Sequence, residues 1–231
     1  MAISRYQGGS TTNLGNFANW LNEHKQGTFL ENLTITLSQT INTNDTLSIS
    51  DDEVTVKFTV QSGSNKECFR FTGESFTTTR NNSGGTDVTA YITGALLCNK
   101  GLMLQYYAGY NSSTSVTVYA VCITVDSNGK LAAIVTAESN SIPESNSSQI
   151  TKWATCTSES TSDITRTCRP SYSANLTSLA PITAMAIDPN ARLPYAYAAI
   201  STQLNSEGLS PVIIDGAPYI TNGVWYIKDG D

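Results

Sequence analysis

The chain has 231 residues, enough for one large or two small domains with a buried core. Charged residues make up only 14%, the net charge is −6, and the 13 Lys and Arg are scattered singly, which excludes the continuous basic face that grips nucleic-acid phosphates. Ser, Thr and Asn fill about a third of the chain, while 39% apolar content with 11 Tyr, 6 Phe and 3 Trp excludes wholesale disorder.

Such a surface is polar through hydroxyls and amides. These groups hydrogen-bond to a neighbouring chain or to sugars without the desolvation penalty of burying an ion. The start, Met1-Ala2-Ile3-Ser4-Arg5-Tyr6-Gln7-Gly8-Gly9, lacks the apolar core of a signal peptide. No apolar run approaches the roughly 18 residues needed to span a bilayer. The expectation is a protein made and kept in a cytoplasm, without membrane insertion.

Leu14, Phe17, Ala18 and Leu21 recur at helical spacing, with Trp20 beside the stripe, Asn13 placed as N-cap and Gly27 as terminator. An isolated helix of this length is marginal in water, so it packs either on the β-body or on another subunit. From Leu30 the period becomes two. Leu33, Ile35 and Leu37 alternate with polar residues, Leu47 and Ile49 follow, and Val54, Val56, Phe58 and Val60 alternate with Glu53, Thr55, Lys57 and Thr59. Phe69 and Phe71 repeat the pattern. Val116, Val118, Ala120 and Cys122 face one way and Tyr119, Val121, Ile123 and Val125 the other, as in a strand covered on both faces. Asp126-Ser127-Asn128-Gly129 closes that strand into a hairpin with Leu131–Thr136. Residues 139–180 are dilute and linker-like, although Trp153 marks a part that docks. Val212-Ile213-Ile214, Tyr219-Ile220 and Val224-Trp225-Tyr226-Ile227, separated by Asp215-Gly216 and Asn222-Gly223, form a meander of three strands.

The fold class is therefore mainly β. It comprises an antiparallel β-sandwich or jelly-roll-like body over 28–138, preceded by a helical segment over 1–27. The loop region 139–180 follows, then a β segment over 181–231 that ends in the meander.

Residues for catalysis are scarce. His24 is the single histidine and sits where a cation suits the end of the helix dipole; no GxSxG, HExxH or phosphate loop accompanies it. Asp51-Asp52-Glu53 is the densest acidic cluster, and charged turn residues explain it more simply than a glycosidase pair. Asp126-x-Asn128-Gly129 echoes the start of a calcium loop, but the spaced acids that should follow are missing. No catalytic residue, cofactor or metal site is assigned. The five cysteines, Cys68, Cys98, Cys122, Cys156 and Cys168, show no CxxC pair and read as free, mostly buried thiols. The alternative, a Cys156–Cys168 bridge, runs against the reducing compartment. Six Asn-x-Ser/Thr sequons occur among 19 Asn. About five arise by chance at this Ser/Thr content, so they carry no information.

Aromatic contact residues remain. Tyr106, Tyr107 and Tyr110 lie by a Gly/Asn/Ser-rich break, Tyr195 and Tyr197 form a second group, and Trp225 sits in the last strand. Tyrosine joins an apolar face to one hydroxyl, which suits core packing, subunit contacts and sugar stacking alike.

The charge-poor, hydroxyl-rich chain with its short helix and its terminal Ile214-Asp215-Gly216 through Asn222-Gly223-Val224-Trp225-Tyr226-Ile227-Lys228-Asp229 segment resembles tailed-bacteriophage virion structural proteins. Tail, baseplate, fibre and head-decoration subunits share this character. The resemblance implies a non-enzymatic homo-oligomer, often a trimer, assembled in the host cytoplasm and bound to other virion proteins, with host-surface glycan as a further partner class. In that setting Leu14, Phe17, Trp20 and Leu21 would form an attachment helix, separable from an outward-facing β-body. Two alternatives stand beside it: a carbohydrate-binding or adhesive module of a bacterial surface, and a carboxylate-dependent glycan hydrolase.

Overall fold

The computed structural model describes residues 3–8, 14–38, 44–52, 55–61, 66–71, 77–80, 88–110, 116–139, 150–156, 179–183, 192–199, 209–223 and 225–230. In chain order these hold β1 (Ser4–Gln7), α1 (Leu14–His24), β2 (Thr34–Ser38), β3 (Asn44–Ser50), β4 (Thr55–Gln61), β5 (Lys66–Phe71) and β6 (Thr77–Arg80). There follow β7 (Val88–Leu97), β8 (Leu102–Tyr110), β9 (Val116–Val125), β10 (Leu131–Ser139) and β11 (Ile150–Cys156). The remaining strands are β12 (Leu179–Thr183), β13 (Arg192–Ala199), β14 (Ser210–Ile214), β15 (Ala217–Thr221) and β16 (Trp225–Lys228).

The chain is mainly β, and the paired strands run antiparallel in three sheets. A six-stranded sheet has the order β1-β7-β8-β9-β10-β11, and two five-stranded sheets have the orders β2-β3-β4-β5-β6 and β12-β13-β16-β15-β14. The six-stranded sheet is the middle layer because its strands are apolar on both faces. Ala95 and Leu97 of β7, Leu102 and Leu104 of β8, Val121 and Ile123 of β9, and Leu131 and Ala133 of β10 pack on one side with α1, Leu47, Ile49 and Val56. The intervening Leu96, Met103, Cys122 and Ala132 pack on the other side with Leu193, Ala196, Ile220, Trp225 and Ile227. Successive side chains of a strand point to opposite faces, so a strand apolar at consecutive positions must be covered twice. The sandwich expected from the sequence is thus, among the described residues, built of three sheets.

Helix α1 closes the first core. Leu14, Phe17 and Leu21 are fully buried and Trp20 is half-buried, its ring 5.7 Å from Phe17 and 5.4 Å from Tyr6 of β1. This corrects the reading of Leu14, Phe17, Trp20 and Leu21 as an attachment helix: the apolar stripe is already covered inside its own chain. Residues 1–27 are no separable segment either, since β1 pairs with β7 as a strand of the middle sheet. The region 139–180 is likewise divided. β11 lies within it and pairs with β10, setting Trp153 opposite Thr136, while 140–149 and 157–178 lie outside the described residues.

The terminal meander forms as its turns require. Asp215 and Gly216 take φ of 49° and 79°, the left-handed pair of a tight hairpin turn that twists with its strands. β16 then pairs with β13, so the meander is three strands of a five-stranded sheet rather than a free-standing unit.

A short turn joins the layers. Between β7 and β8, Asn99 O accepts Phe29 N at 2.8 Å and Lys100 O accepts Thr124 Oγ1 at 2.7 Å. A Cβ built on Gly101 would lie 2.6 Å from two carbons of Ile227 and 3.1 Å from Ile123 O, so only glycine lets β16 come this close.

Candidate functional site

The aromatic residues singled out in the sequence are divided between two sheets. Tyr106, Tyr107 and Tyr110 lie on β8 of the middle sheet, with Tyr106 in register with Tyr119 and Tyr107 with Tyr91; their side chains are outside the described ones. Tyr195 and Tyr197 lie on β13, in a different layer. Tyr195 is half-buried against the second core, with Lys100 Nζ 4.7 Å from its ring centre. Tyr197 is half-buried, and its hydroxyl donates to Pro194 O at 3.3 Å. It begins an edge-to-face row, 5.9 Å to Tyr219 and then 6.5 Å to Tyr226. Burial raises the phenols of Tyr219 and Tyr226 above their ordinary value, and the neighbouring Tyr197 and Asp215 add to the shift at Tyr219. Trp225 is corrected outright: at 1% exposure it fills the second core and offers no contact surface.

The acids serve local structure. Asp51 Oδ2 accepts Leu131 N at 2.9 Å. Asp126 Oδ1 accepts Asn128 N at 2.8 Å and Lys130 N at 2.9 Å, so the calcium-like run is a turn whose carboxylate replaces missing ladder partners. Asp52 is exposed and Glu53 lies outside the described residues. His24 Nδ1 lies 2.8 Å from Trp20 O; a carbonyl only accepts, so that nitrogen carries the proton. Among the described residues no three His, Cys, Asp or Glu gather as metal ligands, and no helix is long and apolar enough to cross a membrane. Cys98 and Cys122 are free thiols; Cys168, and with it the proposed Cys156 bridge, lies outside the described residues.

One exposed polar row does emerge, on β2 at the edge of its sheet. Ile35 and Leu37 turn toward the first core, leaving Thr34, Thr36 and Ser38 exposed. Register sets Thr34 beside Ser50 and then Thr55, Thr36 beside Ser48 and then Lys57, and Ser38 beside Thr46 and then Thr59. Eight of these nine positions are Ser or Thr, in three rows of three, with Lys57 the single charge. The alternation that predicts the strands contained every one of these residues. What the sequence did not supply was the register that lines them up. The junction at Asn99 and Gly101 was missed entirely, since a single Asn and a single Gly carry no pattern.

Comparison with protein-family models, with characterised proteins and with solved structures finds no match to this chain.

Proposed function

We propose that the chain is a structural component of a tailed-phage virion, an external tail, baseplate, fibre or head-decoration subunit that acts through its surfaces. The observation that carries this reading is the exposed Thr34, Thr36 and Ser38 of β2, in register with the Ser- and Thr-rich positions of β3 and β4. A regular array of short hydroxyls on a twisted sheet gives many donors and acceptors with little side-chain entropy and few ions to desolvate. Such a surface suits a permanent contact with a neighbouring subunit, as expected of a homo-oligomer bound to other virion proteins. The low charge of the whole chain and the resemblance of the Ile214–Asp229 segment support the same reading.

The test has two parts. Purified particles from a lysate should carry the chain at a fixed copy number; recovery in a bacterial membrane fraction instead would overturn the proposal in favour of an adhesin. The double substitution Thr36→Lys with Ser48→Lys places like charges opposite one another on neighbouring strands. It should reduce incorporation at least tenfold while the far-ultraviolet circular dichroism is unchanged.

A second reading has one specific observation in its favour, the half-buried Tyr197 set edge-on to Tyr219. An aromatic pair of this kind suits sugar stacking. Glycan-array binding that disappears in Tyr197→Ala would favour a receptor-binding role.

A further inference from the structure

The second core is closed where the segment after β16 meets the β7–β8 turn. Asn99 N donates to Asp229 Oδ1 at 3.1 Å, and Asn99 Oδ1 accepts Gly230 N at 2.9 Å, so one residue grips two successive positions. Cys98 Sγ lies 3.9 Å from Lys228 O beside them. Asp229 is nearly buried at 7% exposure, which strengthens the charged hydrogen bond it accepts. Ile227 packs into the space that Gly101 leaves. Beneath this contact the layer between the sheets is apolar, with Met103, Cys122 and Ala132 meeting Ala196, Trp225 and Ile227. The opposite face of the middle sheet has its own core under α1, built from other residues.

The geometry points to a strap: Lys228–Gly230, held by the Cys98–Gly101 turn, latches the β12–β16 sheet onto the middle sheet, and its release lets that sheet lift as a unit while the core under α1 stays closed. Proteins open sub-globally along such boundaries, where one cooperative unit can separate without dissolving another. The two cores use alternate residues of the same strands, so losing one leaves the other's contacts in place. The lifted state would uncover Leu96, Met103 and Cys122 as an apolar strand face.

Cys122 reports this directly, because it is fully buried on the face that the strap closes. Iodoacetamide labelling of the folded protein, read peptide by peptide, is compared with amide exchange at Leu47 and Ile49 of β3 in urea below the unfolding transition. Cys122 labelling should rise less steeply with urea than β3 exchange, since partial opening exposes less surface. Asp229→Ala and Asn99→Ala should each speed Cys122 labelling about tenfold without urea, while its urea dependence stays shallower than that of β3 exchange. One shared urea dependence in the unaltered protein would overturn the strap, and so would variants in which Cys122 labelling is no faster. The unaltered protein decides by itself if a variant fails to fold.

Discussion

Single residues govern the contacts between layers. Gly101→Ala drives a methyl to 2.6 Å from two side-chain carbons of the buried Ile227 and 3.1 Å from the Ile123 carbonyl oxygen, so the neighbours must shift. Overpacking of this kind costs about 1–3 kcal/mol, and the urea midpoint should fall accordingly. Buried thiols give a pH dependence of known sign. Loss of hydration pushes the Cys98 thiol up to about 12, against the opposing pull of backbone hydrogen bonds, and burial also raises Cys122. In the unfolded chain a thiol ionises near about 8.5. The unfolded state therefore loses protons first, and stability present below that pH declines as pH rises toward the folded value. Each buried thiol should contribute a fall of roughly 1.4 kcal/mol per pH unit in that window. Urea unfolding at about pH 8 and pH 10 checks it, and Cys122→Ala should flatten the slope.

Elements depend on what covers them. α1 is legible in the sequence because its stripe has helical period, and Phe17 at its centre is fully buried beside Tyr6 and Trp20. Phe17→Ala should cost about 3–5 kcal/mol, read as a lowered urea midpoint. The Asp126 hairpin is equally legible, since Asn-Gly after an apolar run specifies the turn. Its energetic detail is not: Asp126 Oδ1 serves two backbone amides at once. Asp126→Ala should lose about 1–2 kcal/mol, whereas Asp126→Asn, which keeps the acceptor oxygen, should lose clearly less. The strand β11 was illegible amid polar residues because its pairing with β10 is set by the partner, not by its own period.

At the scale of the molecule, the middle sheet draws one strand from the start of the chain and five from its centre. Residues 1–27 supply β1 and the helix that closes the first core. Their deletion should therefore abolish cooperative unfolding of the whole chain, seen as a broad, sloping circular dichroism melt. A sharp melt in the shortened chain would restore the view of a detachable attachment segment.

What the sequence determined by itself was local: strand and helix periods, the turns at Asp215-Gly216 and Asn128-Gly129, and a middle strand covered on both faces. Each rests on residues a few positions apart, where backbone geometry alone dictates the pattern. The tertiary structure decided which sheet lies between the others, that α1 and Trp225 face inward, and that Ser and Thr positions of β2, β3 and β4 stand in register. Those are matters of register and layer order. They arise from contacts between distant segments, whose free energy depends on mutual fit and leaves no periodic trace in either segment alone.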